Sequence, residues 1–403
     1  MQRNIIMRAV PLALVLALSA APCAAQQEYT HSIPGNTQLR TSTFSLWVPA
    51  RPDSASLRGV LAVSDYESGR EIYDDQRFRD WATQRGFVLL RYDMRNRNPT
   101  LFLAKEQAAV DRLFQEVLPH FATAAARPEL AHLNVSYTGL SQAGWQAVAL
   151  ADLAPHRTIA TLPIHDSTGE RAPQQASVTT GLAVPSLHLV GRNDNVNMGS
   201  LANGNTYAQT IINFVAARRT AGALTAFTIQ PNTGHTQWEG NEPHGVAIMI
   251  DWLSAVVDLR VASDPTLPPV PLSDTDGWAT QVSITFGASL PWVTATSAQI
   301  QGFASVPLAD RPTQFWLPSY GFATQWHQYT LSGLHIPYTP GCSTPPPGPD
   351  VNQDCRFDLD DLYEVTTTPV DVNRDAVADP TDISILRDWL RRNEHADLLR
   401  GRN

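Results

Sequence analysis

The chain has 403 residues, 43% of them hydrophobic and 17% charged, with a formal net charge of −9. That hydrophobic share excludes wholesale disorder, and the length suffices for two or three domains with a large buried core. The acidic balance, with Lys105 as the single lysine, excludes a dominant nucleic-acid or anionic-membrane surface, because neutralising phosphates needs clustered Lys and Arg.

Residues 1–25 read as a secretion signal. Arg3 and Arg8 form a basic start, positions 9–21 an apolar run, and Cys23-Ala24-Ala25 offers small residues for cleavage. The run falls short of the roughly 20 apolar residues of a spanning helix, and no other stretch is a candidate, so no transmembrane segment is expected. A secreted, periplasmic or cell-surface protein follows. Cys342 and Cys355 are then the thiols of the mature chain, and two cysteines in an oxidising compartment suggest one disulfide between them.

Residues 26–260 alternate short apolar β-type runs with longer amphipathic ones, the pattern of a mostly parallel sheet flanked by helices. Strands are predicted at 44–48, 59–63, 87–92, 134–138, 158–163, 186–190 and 224–229, and helices at 75–84, 105–125, 142–153, 207–219 and 244–257. Within the second helix Val110, Leu113, Phe114, Val117 and Leu118 share one face. Residues 261–340, rich in Pro, Thr, Ser and aromatics, read as a small β-rich extension packed on the first domain by Trp278, Trp292, Trp316 and Trp326, without a long helical period. A stiff Pro-rich linker at 341–349 precedes an acidic segment at 350–395.

The chemistry-bearing segment is NVSYTGLSQAGWQAVAL (134–150). A β-type run ends at Gly139-Leu140-Ser141-Gln142-Ala143-Gly144 and a helical pattern follows at once, the setting of a nucleophile elbow. The turn strains Ser141 and exposes its hydroxyl, and residues two positions either side must be small. Gly139 and Ala143 meet that demand. Ala143 departs from the G-x-S-x-G form, and Gly144 partly compensates. A serine hydroxyl needs a base and the base needs an orienting acid, expected in the order Ser, acid, His. VPSLHLVGRND (184–194) is a β-type run ending at Asp194, and LTAFTIQPNTGHTQW (224–238) is a β-type run followed by His235. Asp166, after the preceding run, is the rival acid. His165 and His188 lie within apolar runs and read as core or strand residues. The oxyanion donors would be the N–H of Gln142 and that of Tyr66 or Asp65, on the loop after an early strand. Tyr66, Trp145 and Trp238 flank the site in sequence, either as an apolar platform or as core.

These residues resemble the α/β-hydrolase superfamily over about 40–260. DDQRFRDWATQRGFVLLRYD and GLSQAGW are similar to secreted esterases akin to polyhydroxybutyrate depolymerases and feruloyl esterases. The resemblance implies an eight-stranded, mostly parallel sheet and hydrolysis of carboxylic esters, carbohydrate-linked or polyester, through an acyl-enzyme without a catalytic cofactor. A different class also fits: a catalytically inactive hydrolase-fold surface or binding protein whose tail is the functional part.

The tail repeats DVNQDCRFDLDD (350–361) as DVNRDAVADPTD (371–382). Asp350, Asn352, Asp354, Asp358 and Asp361, and Asp371, Asn373, Asp375, Asp379 and Asp382, fall at positions 1, 3, 5, 9 and 12 of two loops, with the carbonyls of Arg356 and Val377 at position 7. Oxygen donors at that spacing wrap Ca²⁺. The repeat resembles a small α-helical dockerin-type domain, which implies a cohesin-like receptor or the cell surface as partner. Cys355 and Ala376 stand where a glycine ordinarily turns the loop, and Asp replaces the longer Glu at position 12.

Overall fold

The computed structural model describes residues 26–50, 56–66, 69–95, 107–166, 181–191, 194, 207–230, 233–235, 243–281, 283–286, 291–295 and 300–332, with 380, 383, 384 and 387 in the tail. Residues 1–25, read above as a secretion signal, Cys342, Cys355 and all twelve residues expected in the two Ca²⁺ loops lie outside them. No helix among the described residues is long and apolar enough to cross a membrane.

The central sheet has eight strands: β1 (Gln27–Ile33), β2 (Ser42–Val48), β3 (Gly59–Ser64), β4 (Phe87–Asp93), β5 (Val135–Leu140), β6 (Thr158–Ile164), β7 (Ser186–Gly191) and β8 (Thr225–Gln230). Their spatial order is β1-β2-β4-β3-β5-β6-β7-β8. β1 and β2 run antiparallel at one edge, and the rest are parallel. This sheet, with helices on both faces, fits the α/β-hydrolase fold. The inner strands β3, β5, β6 and β7, and the edge strand β8, are buried along their whole length, which is why they stand out in the sequence as unbroken β-type runs.

Among the described residues the helices are α1 (Gly69–Asp74), α2 (Gln76–Arg85), α3 (Gln107–Asp111), α4 (Leu118–Ala124), α5 (Gln142–Leu153), α6 (Tyr207–Thr220), α7 (Pro243–Arg260) and α8 (Tyr320–Ser332). One core, with Trp81, Ile211, Trp252 and Val256, lies on the first face. The other, with Val110, Leu113, Phe121 and Trp145, lies on the second.

Three differences from the sequence reading have physical reasons. β1 has no counterpart in the predicted strands: it is a polar edge strand in which Ile33 alone is buried, so no apolar run marks it. The single helix predicted at 105–125 is broken by a π turn at Arg112–Val117, where the Leu118 N–H donates to the Leu113 carbonyl. Pro119 follows at once and has no N–H for the regular ladder, so a wider turn is tolerated there. The extension contains α8, a helix the sequence reading left out. Its buried Phe322, Trp326 and Tyr329 recur at helical spacing, but Thr, Gly and aromatic residues dilute the pattern.

The extension shares the first core through Phe303, Trp316, Leu317 and Trp326. Trp326 Nε1 donates to the Phe227 carbonyl of β8 at 2.8 Å, Gln325 to Asp251 of α7 at 2.7 Å, and Arg219 of α6 to the Gln314 carbonyl at 2.6 Å. Short strands β9 (Trp278–Thr280), β12 (Gln301–Gly302) and β13 (Phe315–Leu317) form a separate sheet, and β10 (Ser283–Phe286) pairs with β11 (Pro291–Ala295).

Candidate active site

β5 feeds directly into α5 through Ser141, whose φ of 58° and ψ of −121° place a non-glycine residue in a strained region. The strain is held from both sides. The Ser141 N–H donates to the Ile164 carbonyl of β6 at 2.9 Å, while its own carbonyl accepts from Gly144 N–H at 3.1 Å and Trp145 N–H at 3.3 Å. The small neighbours are explained by contact. A Cβ on Gly139 would lie 2.7 Å from Ala143 Cβ and 2.8 Å from its carbonyl carbon, and one on Gly144 would lie 2.8 Å from both the Gly139 carbonyl oxygen and Asp166 Cβ. Because residue 143 carries a methyl group, the burden of smallness falls on Gly139. Gly139→Ala is expected to cost about 2 kcal/mol or more, as overpacking does where backbone cannot yield. Urea unfolding measures this, and unchanged stability would refute the packing account.

His235 lies on the loop after β8 and Asp194 just beyond β7. His235 Nε2 is 2.7 Å from Ser141 Oγ and His235 Nδ1 is 2.7 Å from Asp194 Oδ1. The three residues are buried, Ser141 to 5% exposure, His235 to 3% and Asp194 to 0%. A carboxylate can only accept, so Nδ1 carries the proton, and Nε2 is the lone pair that faces the serine hydroxyl. Side chains 41 and 94 residues apart in the chain thus form one hydrogen-bonded line. Such a line can carry a proton from the hydroxyl to the imidazole and hold the resulting imidazolium against a buried carboxylate.

The rival acid is engaged elsewhere. Asp166 Oδ2 is 2.7 Å from Nδ1 of His188, both side chains fully buried, and His188 packs edge-on against Phe214. This second carboxylate–imidazole pair lies between the sheet and α5, as the closeness of Asp166 to Gly144 shows.

Among the oxyanion donors, the first N–H groups of α5, that of Gln142 foremost, have no intrahelical partner by position. The two loop candidates differ. The Asp65 N–H donates to the Tyr92 carbonyl at 2.7 Å, so it is committed to holding the loop on β4. The Tyr66 N–H sits 3.5 Å from Ser64 Oγ, a far longer contact. Of the two N–H groups expected there, that of Asp65 is therefore the one tied to the sheet. Burial raises the Asp65 carboxyl above its ordinary range, against the lowering influence of Arg91 3.8 Å away. Trp145 is fully buried in the core of the second face and is no platform. Tyr66 is half-buried with Arg95 over its ring, and Trp238 lies outside the described residues.

Sequence reasoning missed one neighbour. His165, read as a core residue, is buried but polar in its contacts. Its Nδ1 is 3.0 Å from the His235 carbonyl oxygen and its Nε2 is 2.7 Å from the Gln230 side-chain amide. Its φ of 42° is positive, as are those of Ser141 and Ala126, and no one-dimensional signal announces it.

No protein-family model matches the chain, and no curated protein sequence matches it. Solved structures similar to it include an S-formylglutathione hydrolase from Agrobacterium tumefaciens, 16% identical over 58% of this chain and 98% of that one, with a TM-score of 0.40. A ferulic acid esterase is 12% identical over 58% and 98%, with a TM-score of 0.42. Carboxyl esterase 2 from the fungus Tuber melanosporum is 16% identical over 57% and 84%, with a TM-score of 0.40. Likeness at this level assigns no activity, and the chemistry is read from the site.

Proposed function

We propose that this chain is an exported serine hydrolase that cleaves carboxylic esters through an acyl-enzyme. The observation that carries the reading is the line from Asp194 through His235 to Ser141, with both contacts at 2.7 Å, built on a strained strand-to-helix turn. Ser141 Oγ attacks the ester carbonyl carbon as His235 Nε2 takes its proton. The Gln142 and Tyr66 N–H groups hold the tetrahedral oxyanion, and such preorganised donors are worth about 3–4 kcal/mol each. The imidazolium then protonates the departing alcohol as the C–O bond breaks, leaving Ser141 acylated. A water molecule, deprotonated by His235, attacks the acyl carbon, and the acid is released as the proton returns to Oγ. Carbohydrate-linked and polyester substrates are the classes that the esterase resemblance suggests.

Incubation with p-nitrophenyl acetate and butyrate should release p-nitrophenol, and a fluorophosphonate should label the tryptic peptide that contains Ser141. Absence of both turnover and labelling would favour a hydrolase-fold binding protein instead.

The duplicated acidic loops at 350–361 and 371–382 support a Ca²⁺-binding docking module, directed to a cohesin-like receptor or the cell surface. Titration calorimetry of the full chain should show two Ca²⁺ sites, lost when Asp350, Asp354, Asp371 and Asp375 are all changed to Ala. Equal Ca²⁺ uptake by that variant would remove the module. Peptide mapping without reduction tests the bond between Cys342 and Cys355.

A further inference from the structure

We propose that His165 is a positioning residue that locks the catalytic base to the nucleophile through the end of β6; the inference rests on the serine-hydrolase reading. The carbonyl of Ile164 accepts the Ser141 N–H at 2.9 Å, and the next residue, His165, reaches the His235 carbonyl oxygen at 3.0 Å. Two consecutive residues of one strand end therefore hold the backbones of nucleophile and base. His165 is itself held, its N–H donating to the Leu189 carbonyl of β7 at 2.8 Å. The ring is fully buried, so these bonds face no competition from water.

The chemistry fixes the tautomer. A carbonyl oxygen only accepts, so Nδ1 of His165 carries the proton and donates to His235. In a neutral ring Nε2 then accepts, which requires the Gln230 amide to present its NH₂ group. Among the described residues Gln230 Nε2 is buried without a partner, while Oε1 faces His165 at 2.7 Å. Exchanging the two amide atoms gives Nε2 the imidazole as acceptor, and amide orientation is assigned from the hydrogen-bond network. Oε1 then lies beside Gly245, in the first turn of α7, where main-chain N–H groups lack intrahelical partners. Gly191 makes the approach possible, since a Cβ there would sit 3.0 Å from both the Thr233 carbonyl oxygen and His165 Cε1. The positive φ of His165, 42°, aims the ring at the loop of His235 while Asp166, the next residue, pairs on its own with His188.

Without the donor, the backbone of His235 loses a fixed point, and a misplacement on the order of 1 Å can cost up to ~100-fold in rate. His165→Phe keeps the ring and removes both bonds. His165→Asn keeps an N–H near the Nδ1 position and tolerates a positive φ. With p-nitrophenyl acetate, His165→Phe should lower kcat by ~10-fold or more with KM within about twofold, and His165→Asn should regain most of the loss. The low-field proton NMR resonance of His235 Nδ1–H, bonded to Asp194, should broaden or vanish in His165→Phe and persist in His165→Asn. His165→Gln, whose amide reaches the Nε2 position but leaves no donor at Nδ1, should move both readouts as His165→Phe does, and serves if that variant does not fold. Wild-type kcat and resonance in folded His165→Phe or His165→Gln overturn the proposal. So does His165→Asn as impaired as His165→Phe, for ring volume rather than the donor would then be what matters. The resonance needs no substrate, so a wild-type chain that hydrolyses no ester defeats the serine-hydrolase reading while His165 is still judged by the spectrum.

Discussion

Ser141→Gly is expected to abolish ester hydrolysis while leaving the protein more stable than Ser141→Ala. Both substitutions remove the hydroxyl that faces His235 Nε2 at 2.7 Å, so both should lose roughly 10⁵-fold or more in kcat, the scale seen when a triad nucleophile is deleted. They differ in the backbone. At a φ of 58° and a ψ of −121° alanine retains the steric conflict of the serine, whereas glycine has no Cβ to clash. A strained φ/ψ costs about 1–3 kcal/mol, and glycine gives back roughly 0.5–1 kcal/mol in backbone entropy. The glycine variant should therefore exceed the alanine variant by about 1 kcal/mol, or about 2–4 °C in melting temperature for a body of this size. Paired thermal melts and initial rates measure this. Equal melting points would mean that the turn stores no strain, and surviving turnover in either variant would remove Ser141 as nucleophile.

Asp194→Asn should lower kcat by roughly 10⁴-fold with little loss of fold. An amide NH₂ group facing His235 Nδ1 favours the tautomer in which Nε2 is protonated and cannot accept from the serine. Asp166→Asn should do the reverse. Its partner is His188, at 2.7 Å and fully buried, so the variant should keep at least about a tenth of kcat while losing about 1–3 kcal/mol of stability, as when a buried polar group loses its partner. Steady-state rates and urea unfolding of the two variants side by side decide between the acids. A catalytic collapse in Asp166→Asn with activity retained in Asp194→Asn would exchange their roles.

How much could be read in one dimension follows from what each signal depends on. The inner strands are covered on both faces, so β3 and β5 appear as runs of Val, Leu and other β-formers. β1 sits at the edge, and its alternation of polar residues says little. Ser141, Asp194 and His235 announce themselves as candidates because each follows a β-type run in a fixed order, a feature of connectivity. Choosing between Asp194 and Asp166 needs to know which imidazole each carboxylate meets, and that is a matter of which way a side chain leaves the sheet. Asp65 and Tyr66 are alike in sequence position, and only the bond from the Asp65 N–H to Tyr92 separates them. His165 is the hardest case. Its contact lies 70 residues away, on a main-chain oxygen that no residue type encodes.

The seating of α8 on β8 bears on how the protein should be cut for study. β8 is the last strand of the sheet and leads into the loop of His235, and its far flank is covered by residues that follow position 260. A recombinant fragment ending there would present the bare side chains of Phe227 and Trp252 to solvent, an aggregation-prone patch. The smallest soluble catalytic piece should accordingly run to at least residue 332.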